Sequence, residues 1–382
     1  MTKQISNKSK ISIDASSLDT DVRKRGIGLY VFNLINQIKL SNYDTSDYCL
    51  LRSKNDEKIE TIIYPLQNLP ERILWFSNAI VLKMLLERNN ISLFHSTHPY
   101  NLPISRKFNT IATVYDLIPL IFYNDYLKNK FVNAKLSYRY YLNNLKKADH
   151  LIAISERTKQ DCIEYLGISE NRITTIHLGI DTNIFQYIED EELLENIKKK
   201  HSLPSKFFLY VGGADFRKNV IRLVNAFGKI ANSVEENLVL VGQWYPAWIS
   251  NLQNQLQSLG IQQRVHFLSF VETEDLVCLY TLTTALLFPS LYEGFGLPVL
   301  EAFSCQTPVL CSNNSSLIEI AKDCAVLVDP YQEDDISRGI LKIAQDEKLR
   351  NELSIKGYNR SKEFSIEKMA KETLEVYHNV LS

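Results

Sequence analysis

The chain has 382 residues, 45% hydrophobic and 23% charged, with a net charge of −1. This length favours two domains with separate cores, and the balanced composition excludes a disordered or fibrous chain. A charge so near zero, with no nucleic-acid-binding motif, argues against a nucleic-acid partner.

The first ten residues are polar and lack the apolar core of a signal peptide. Short β-rich blocks then alternate with longer helical patterns, which predicts parallel sheets flanked by helices. In the first half, strands are expected at 11–13, 93–95, 110–114 and 151–154, and helices near 27–40, 71–90, 130–148 and 156–166. Asp19-Thr20-Asp21 mimics a metal-binding Asp-x-Asp, but it lies in a polar stretch and not at a strand end, so no metal is expected. Gly26 and Gly28 then form a loop ahead of a helix whose buried face would be Leu29, Phe32, Leu34, Ile35 and Ile38. Residues 73–86 are the most apolar run. Ser77, Asn78 and Lys83 interrupt it and it is too short to span a bilayer, so Trp75 and Phe76 read as core. His95 and His98 follow a strand as an H-x2-H pair, but a zinc site needs ligands not found elsewhere in the chain. Lys128, Lys130, Lys135, Arg139, Lys146 and Lys147 share one helical region with Phe131, Tyr138, Tyr140 and Tyr141. Inward packing of the aromatics is the favoured reading there, and contact with an anionic membrane the other. Residues 1–183 carry 24 Lys and Arg against 18 Asp and Glu, which suits an anionic acceptor or a charged membrane face.

After 176–181 the pattern pauses in a polar stretch, read as a hinge, and 189–200 forms a short amphipathic helix. A second alternation has strands at 207–211, 238–241, 265–268, 285–288 and 309–311. Neither half has Gly-x-Gly-x-x-Gly after its first strand, which excludes the usual nicotinamide-binding turn. The six cysteines show no C-x2-C spacing and read as reduced core thiols.

Residues 289–301, Pro-Ser-Leu-Tyr-Glu-Gly-Phe-Gly-Leu-Pro-Val-Leu-Glu, carry the most information. A buried strand at 285–288 runs into a turn made pliant by Gly294 and Gly296, and Pro298 suits the first turn of a helix. Such a helix start attracts phosphate, whereas Glu293 and Glu301 on either side would repel it. The conflict disappears if the acids hold hydroxyls: Glu301 on a ribose, Glu293 on a sugar ring. Arg217 and Lys218 follow another buried strand and a Gly212-Gly213 turn, where two cations would neutralise a diphosphate.

These features resemble the Glu-x7-Glu motif of retaining glycosyltransferases with the two-domain GT-B fold, in the family 4 type that includes bacterial surface-polysaccharide mannosyltransferases. Four further segments match in order: Gly26-Ile27-Gly28-Leu29-Tyr30, 115–120, Tyr210-Val211-Gly212 with Arg217-Lys218-Asn219, and 301–309. The resemblance spans about residues 11 to 378. It implies an α/β fold of two Rossmann-like parallel-sheet domains facing a central cleft: 1–183 for the acceptor, rejoined by a last helix at about 364–382, and 184–363 for the nucleotide-sugar. It further implies catalytic Glu293, Arg217, Lys218 and Tyr115, and a donor site of Gly26, Gly28, Gly294, Phe295, Gly296, Leu297 and Glu301. His98, Tyr100 and Asp116 would line the acceptor cleft. Tyr115 departs from the family, which commonly has His there, and Gln306 replaces its usual Gly.

The expected activity is transfer of a hexose from a nucleotide-diphosphate sugar, GDP-mannose first, to a glycan or lipid-linked glycan. No other cofactor is expected. The expected location is the cytoplasm, with peripheral contact at the inner face of the membrane. Two other readings stay open: a non-catalytic glycosyltransferase-like subunit, motivated by Tyr115, and a GT-B sugar-nucleotide epimerase.

Overall fold

The computed structural model describes residues 10–20, 26–40, 44–64 and 78–382. The chain divides into two compact units, 1–179 with 366–382, and 180–365. In the first, β1 (Ile11–Asp14), β2 (Tyr48–Arg52), β3 (Glu60–Ile63), β4 (Leu93–Ser96), β5 (Asn109–Val114), β6 (His150–Ala153) and β7 (Ile173–Thr175) form one sheet, ordered β3-β2-β1-β4-β5-β6-β7. Every pairing is parallel. The central strands β1 and β4 are buried along their whole length, as parallel strands covered on both faces must be. Sequence pattern locates β1, β4, β5 and β6. It misses β2, whose Tyr48-Cys49-Leu50-Leu51 run is buried, and the short flanking strands β3 and β7.

Two expectations for the first helix are corrected. The helix spans Gly26–Leu40, so Gly26 and Gly28 lie in its first turn and not in a loop ahead of it. Its buried stripe is Val31, Leu34, Ile35 and Ile38 with Gly28 and Tyr30, whereas Leu29 and Phe32 are 36% and 40% exposed. The 3.6-residue period explains this, because Leu29 and Phe32 fall to the side of the 31-34-35-38 row. Of the expected helix at 71–90, residues 71–77, with Trp75 and Phe76, lie outside the described residues. The rest is a π turn, Asn78–Leu82, followed by the helix Lys83–Arg88.

His95 lies within β4 and not after it. It is fully buried, with Nδ1 2.6 Å from the Tyr377 hydroxyl and Nε2 2.8 Å from Oγ1 of Thr113. Tyr377 belongs to the last helix, Ile366–Leu381, which returns to this unit and accepts a bond from Asn109 Nδ2 at the Val380 carbonyl. Burial lowers the imidazole pKa to about 3. In the unfolded chain the ring gains its proton near pH 6.5, so the unfolded state binds more protons across the window from 6.5 down to about 3. Stability should therefore decline as pH falls through that window, by a few kcal/mol from this residue. We expect denaturant midpoints of His95→Gln to vary less between pH 7 and 4 than those of the parent protein.

The second unit has β8 (Phe207–Gly213), β9 (Asn237–Gln243), β10 (Val265–Leu268), β11 (Ala285–Phe288), β12 (Val309–Ser312) and β13 (Val326–Val328), ordered β10-β9-β8-β11-β12-β13 and parallel throughout. Phe208, Tyr210, Leu240 and Leu287 pack under Leu223, Val224 and Phe227 of the helix Val220–Ile230, and Ile336 and Ile340 complete this core. Successive strands run outward from β8 on one side and from β11 on the other. The β8–β11 boundary is thus the topological switch point, the place where open parallel sheets commonly bind ligands. All six cysteines are buried and unbonded.

Candidate functional site

Both cationic residues sit in the loop that leaves β8 at this switch point. Asp215 begins a 3-10 turn, Phe216–Lys218, with Oδ1 accepting from the Arg217 amide at 3.1 Å. Asn219 adopts a left-handed backbone, φ +62°, which ends the turn and starts the helix Val220–Ile230. Its buried side-chain amide donates to the carbonyls of Pro289 and Pro330 at 2.8 and 2.7 Å, pinning this loop to the one that leaves β11. The Leu291 amide donates to the Arg217 carbonyl at 2.7 Å and completes the tie.

The loop after β11 carries the acids. Glu293 is buried, and its two oxygens take separate cations: Arg217 Nη1 at 2.8 Å on Oε2 and Lys218 Nζ at 2.7 Å on Oε1. Burial alone would raise this carboxyl's pKa, but Lys218 and Arg217 outweigh it and hold the pKa below the usual range. Lys218 also lies 4.9 Å above the Phe288 ring. The loop is held from beneath by residues after β12: the Glu293 amide donates to Ser315 Oγ at 3.2 Å, and Ser316 Oγ donates to the carbonyls of Glu293 and Phe295.

Of the two expected pliant glycines, only Gly296 has a positive φ, +128°. It precedes the helix Leu297–Ser304, which starts without a side-chain cap and has Pro298 in its first turn. Phe295 is buried with its ring edge-on to Phe364. Glu301 projects from the first full turn. Its Oε2 accepts from the Tyr280 hydroxyl at 2.8 Å, and burial raises its pKa to about 7, partly offset by Tyr280 and Lys218. This edge therefore gathers one firmly ionised acid, one acid that titrates near neutrality, two cations and an uncapped helix start.

Sequence reading found Arg217, Lys218, Glu293 and Glu301 but not their supports: Asp215, Tyr280, Ser315 and Ser316. The polar Asn313-Asn314-Ser315-Ser316 run after a buried strand was a signal for two of these. Tyr280, in the middle of an apolar helix, left none.

In the first unit, β4 and β5 are neighbours, so their carboxyl ends place His98 and Tyr100 beside Tyr115 and Asp116. The His98 and Tyr100 rings are 5.9 Å apart. Asp116 anchors its own loop, with Oδ1 accepting from the Ile118 amide at 3.0 Å. The Tyr115 hydroxyl is buried without a hydrogen-bond partner among the described residues, and burial, with Tyr30, Asp14 and Tyr141 nearby, pushes its pKa well above the phenol range. Asp19 is paired with Arg52 at 2.7 Å, and Asp21 lies outside the described residues. Among the described residues no three His, Cys, Asp or Glu side chains gather as a metal site.

The family Glycosyltransferase Family 4 matches residues 24–184, and Glycosyl transferases group 1 matches 191–360. "Serotype-specific mannosyltransferase WbdA" of Escherichia coli is 30% identical over 277 residues, covering 72% of this chain and 34% of the relative. "O-antigen chain mannosyltransferase B" of the same organism is 31% identical over 235 residues, covering 61% of each. The chain thus spans about a third of the first relative's length and under two thirds of the second's. Among solved structures, Anabaena Alr3699/HepE in complex with UDP and glucose superposes with a TM-score of 0.74 at 16% identity, over 97% of this chain and 100% of that one. Two parallel-sheet units of this topology, and two consecutive family matches over nearly the whole chain, mean that the protein belongs to the GT-B glycosyltransferases of the family 4 type.

Proposed function

We propose that the chain is a retaining hexosyltransferase that takes a hexose from a nucleotide-diphosphate sugar, GDP-mannose first, and passes it to a glycan or lipid-linked glycan in surface-polysaccharide synthesis. The observation that carries this reading is the convergence of Arg217, Lys218, Glu293 and Glu301 at one switch point. The names of the two mannosyltransferase relatives support the sugar and the setting.

Charge builds on the leaving diphosphate as the glycosidic bond breaks, and fixed cations in a buried site stabilise that charge strongly. In this reading Arg217 and Lys218 supply them, Glu301 accepts from the ribose hydroxyls, and Glu293 orients the sugar. The amides of Gly294, Phe295, Gly296 and Leu297 meet the sugar and diphosphate at the helix start. The departing phosphate takes the acceptor's proton, so no separate base is needed. In the first unit, the residues to which this reading gives roles are Gly26, Gly28, His98, Tyr100, Tyr115 and Asp116.

A thermal-shift screen against nucleotide-sugars tests the donor, because a ligand that binds only the folded state raises its melting temperature. Selective stabilisation by GDP-mannose, followed by an α-linked product by NMR, is the expected result, and no stabilisation by any nucleotide-sugar would refute the reading. Turnover without a second protein separates the enzyme from a non-catalytic subunit. Product analysis without acceptor separates it from an epimerase.

Tyr115 gives a sharper test. Its hydroxyl has no partner to lose, so Tyr115→Phe removes a buried unsatisfied group, a change that is neutral or stabilising by about 1 kcal/mol. We expect a melting temperature equal to or above the parent's, together with roughly tenfold slower transfer and unchanged donor affinity.

No helix among the described residues is long and apolar enough to cross a membrane. Peripheral contact at the inner face has a specific candidate surface. On the helix Val132–Leu145, Tyr138 and Tyr141 pack inward, while Phe131 is 89% exposed and Val132 and Leu136 are also exposed. Lys128, Lys130, Lys135 and Arg139 surround this apolar end, a pattern complementary to an anionic bilayer at about 1 kcal/mol per cation. The protein should float with phosphatidylglycerol vesicles but not with phosphatidylcholine, and Phe131→Glu should weaken flotation at least tenfold.

A further inference from the structure

Glu301 has two oxygens, and among the described residues only Oε2 has a hydrogen-bond partner. Oε2 accepts from the Tyr280 hydroxyl at 2.8 Å. Tyr280 lies on the helix Thr273–Leu282, is fully buried, and has its carbonyl held by Thr307 Oγ1 at 2.7 Å. Its backbone is thus tied and its ring buried, which restricts the phenol that donates. It holds Oε2 of the carboxyl group and leaves Oε1 to accept.

We propose that Tyr280 is a positioning residue of the donor site, its hydroxyl orienting Glu301 so that Oε1 accepts from a vicinal diol of the bound nucleotide-sugar. The inference rests on the function proposed above and adds to it a residue outside the motif. A carboxylate held at one oxygen loses less rotational freedom on taking a diol, and preorganisation of this kind raises affinity. The groups facing Glu301 are Tyr280, Lys218 and Cys305. Of these, Tyr280 donates to the carboxylate, so it stabilises the ionised form that accepts from hydroxyls. Its loss would leave Glu301 protonated at higher pH.

The test is Tyr280→Phe, which keeps the ring and removes the hydroxyl. Binding of GDP, UDP and their sugars would be measured by calorimetry from pH 6 to 9, alongside a carbon-13 NMR titration of the Glu301 carboxyl without ligand. We expect roughly tenfold weaker nucleotide-sugar binding at pH 7, recovering toward parent affinity at pH 9, and a Glu301 titration moved upward. Affinity equal to the parent at every pH, or an equal loss at every pH, would overturn the proposal; the second outcome would make Tyr280 only a fastener between two helices. If no nucleotide-sugar binds the parent protein, the functional reading itself fails. The carboxyl titration still reports then whether Tyr280 controls Glu301, and an unmoved titration overturns that control.

Discussion

Glu293→Ala is expected to slow transfer by about 10³-fold while nucleoside-diphosphate binding is kept or tightened. In the ligand-free protein this carboxylate takes both Arg217 and Lys218, at 2.8 and 2.7 Å. A diphosphate would compete for the same two cations. Removing the acid frees them for the anion and deletes the group proposed to orient the sugar. Lys218→Ala should behave differently, losing both diphosphate affinity and turnover. Stability separates the variants further. Glu293 is buried, and breaking a buried ion cluster by removing one partner costs about 3–5 kcal/mol. Glu293→Ala should therefore melt well below the parent protein and recover much of that loss when GDP or UDP is added. Calorimetry of nucleotide binding and steady-state kinetics on both variants provide the check; equal nucleotide affinity losses in the two would contradict the competition.

Gly296→Ala should lose both stability and activity. At φ +128° an L side chain is strained, and a Cβ there would come within 2.7 Å of Leu317 Cδ2. Strain of this kind costs about 1–3 kcal/mol, and each kcal/mol lowers the melting temperature by about 2–4 °C in a unit of this size. The functional loss should be larger than that figure implies. Relieving the strain rotates the start of the helix Leu297–Ser304, and the amides beside Glu293 move with it. A displacement of about 1 Å at a reacting centre can cost roughly 10²-fold in rate. Gly294→Ala at the neighbouring glycine, which lacks the positive φ, should be milder in both assays. A Gly294 variant worse than the Gly296 variant would show that the turn works by another geometry.

Much of the site was legible because its parts are local. A buried strand, a glycine turn and a proline at a helix start can be read from 285–301 alone, and the charged residues within such a segment have few other uses. The features that sequence reading missed or misplaced depend on neighbours in space. Leu29 and Phe32 are as apolar as Leu34, and they face outward because the 31-34-35-38 row is the one that packs inward. His95 was set aside as a metal ligand from sequence, but its actual partner, Tyr377, lies 282 positions away and could not be read there. Asn219 was visible as part of a motif, but its left-handed backbone and its bonds to Pro289 and Pro330 were not.

The order of apolar blocks and turns in the amino-acid sequence determined by itself that the chain would build two parallel sheets, and which loops would carry acids, cations and glycines. These follow from hydrophobic burial and backbone sterics, which act over a few residues at a time. Tertiary structure alone decided that Glu293 would neutralise Lys218 across 75 positions and that Tyr280 would hold Glu301. The first depends on β8 lying beside β11, an adjacency made by long crossovers, and the second on the packing of the two helices that flank β11. Electrostatic and hydrogen-bond partners are chosen by distance in space, so the ionisation of the two acids was written only when the sheet closed.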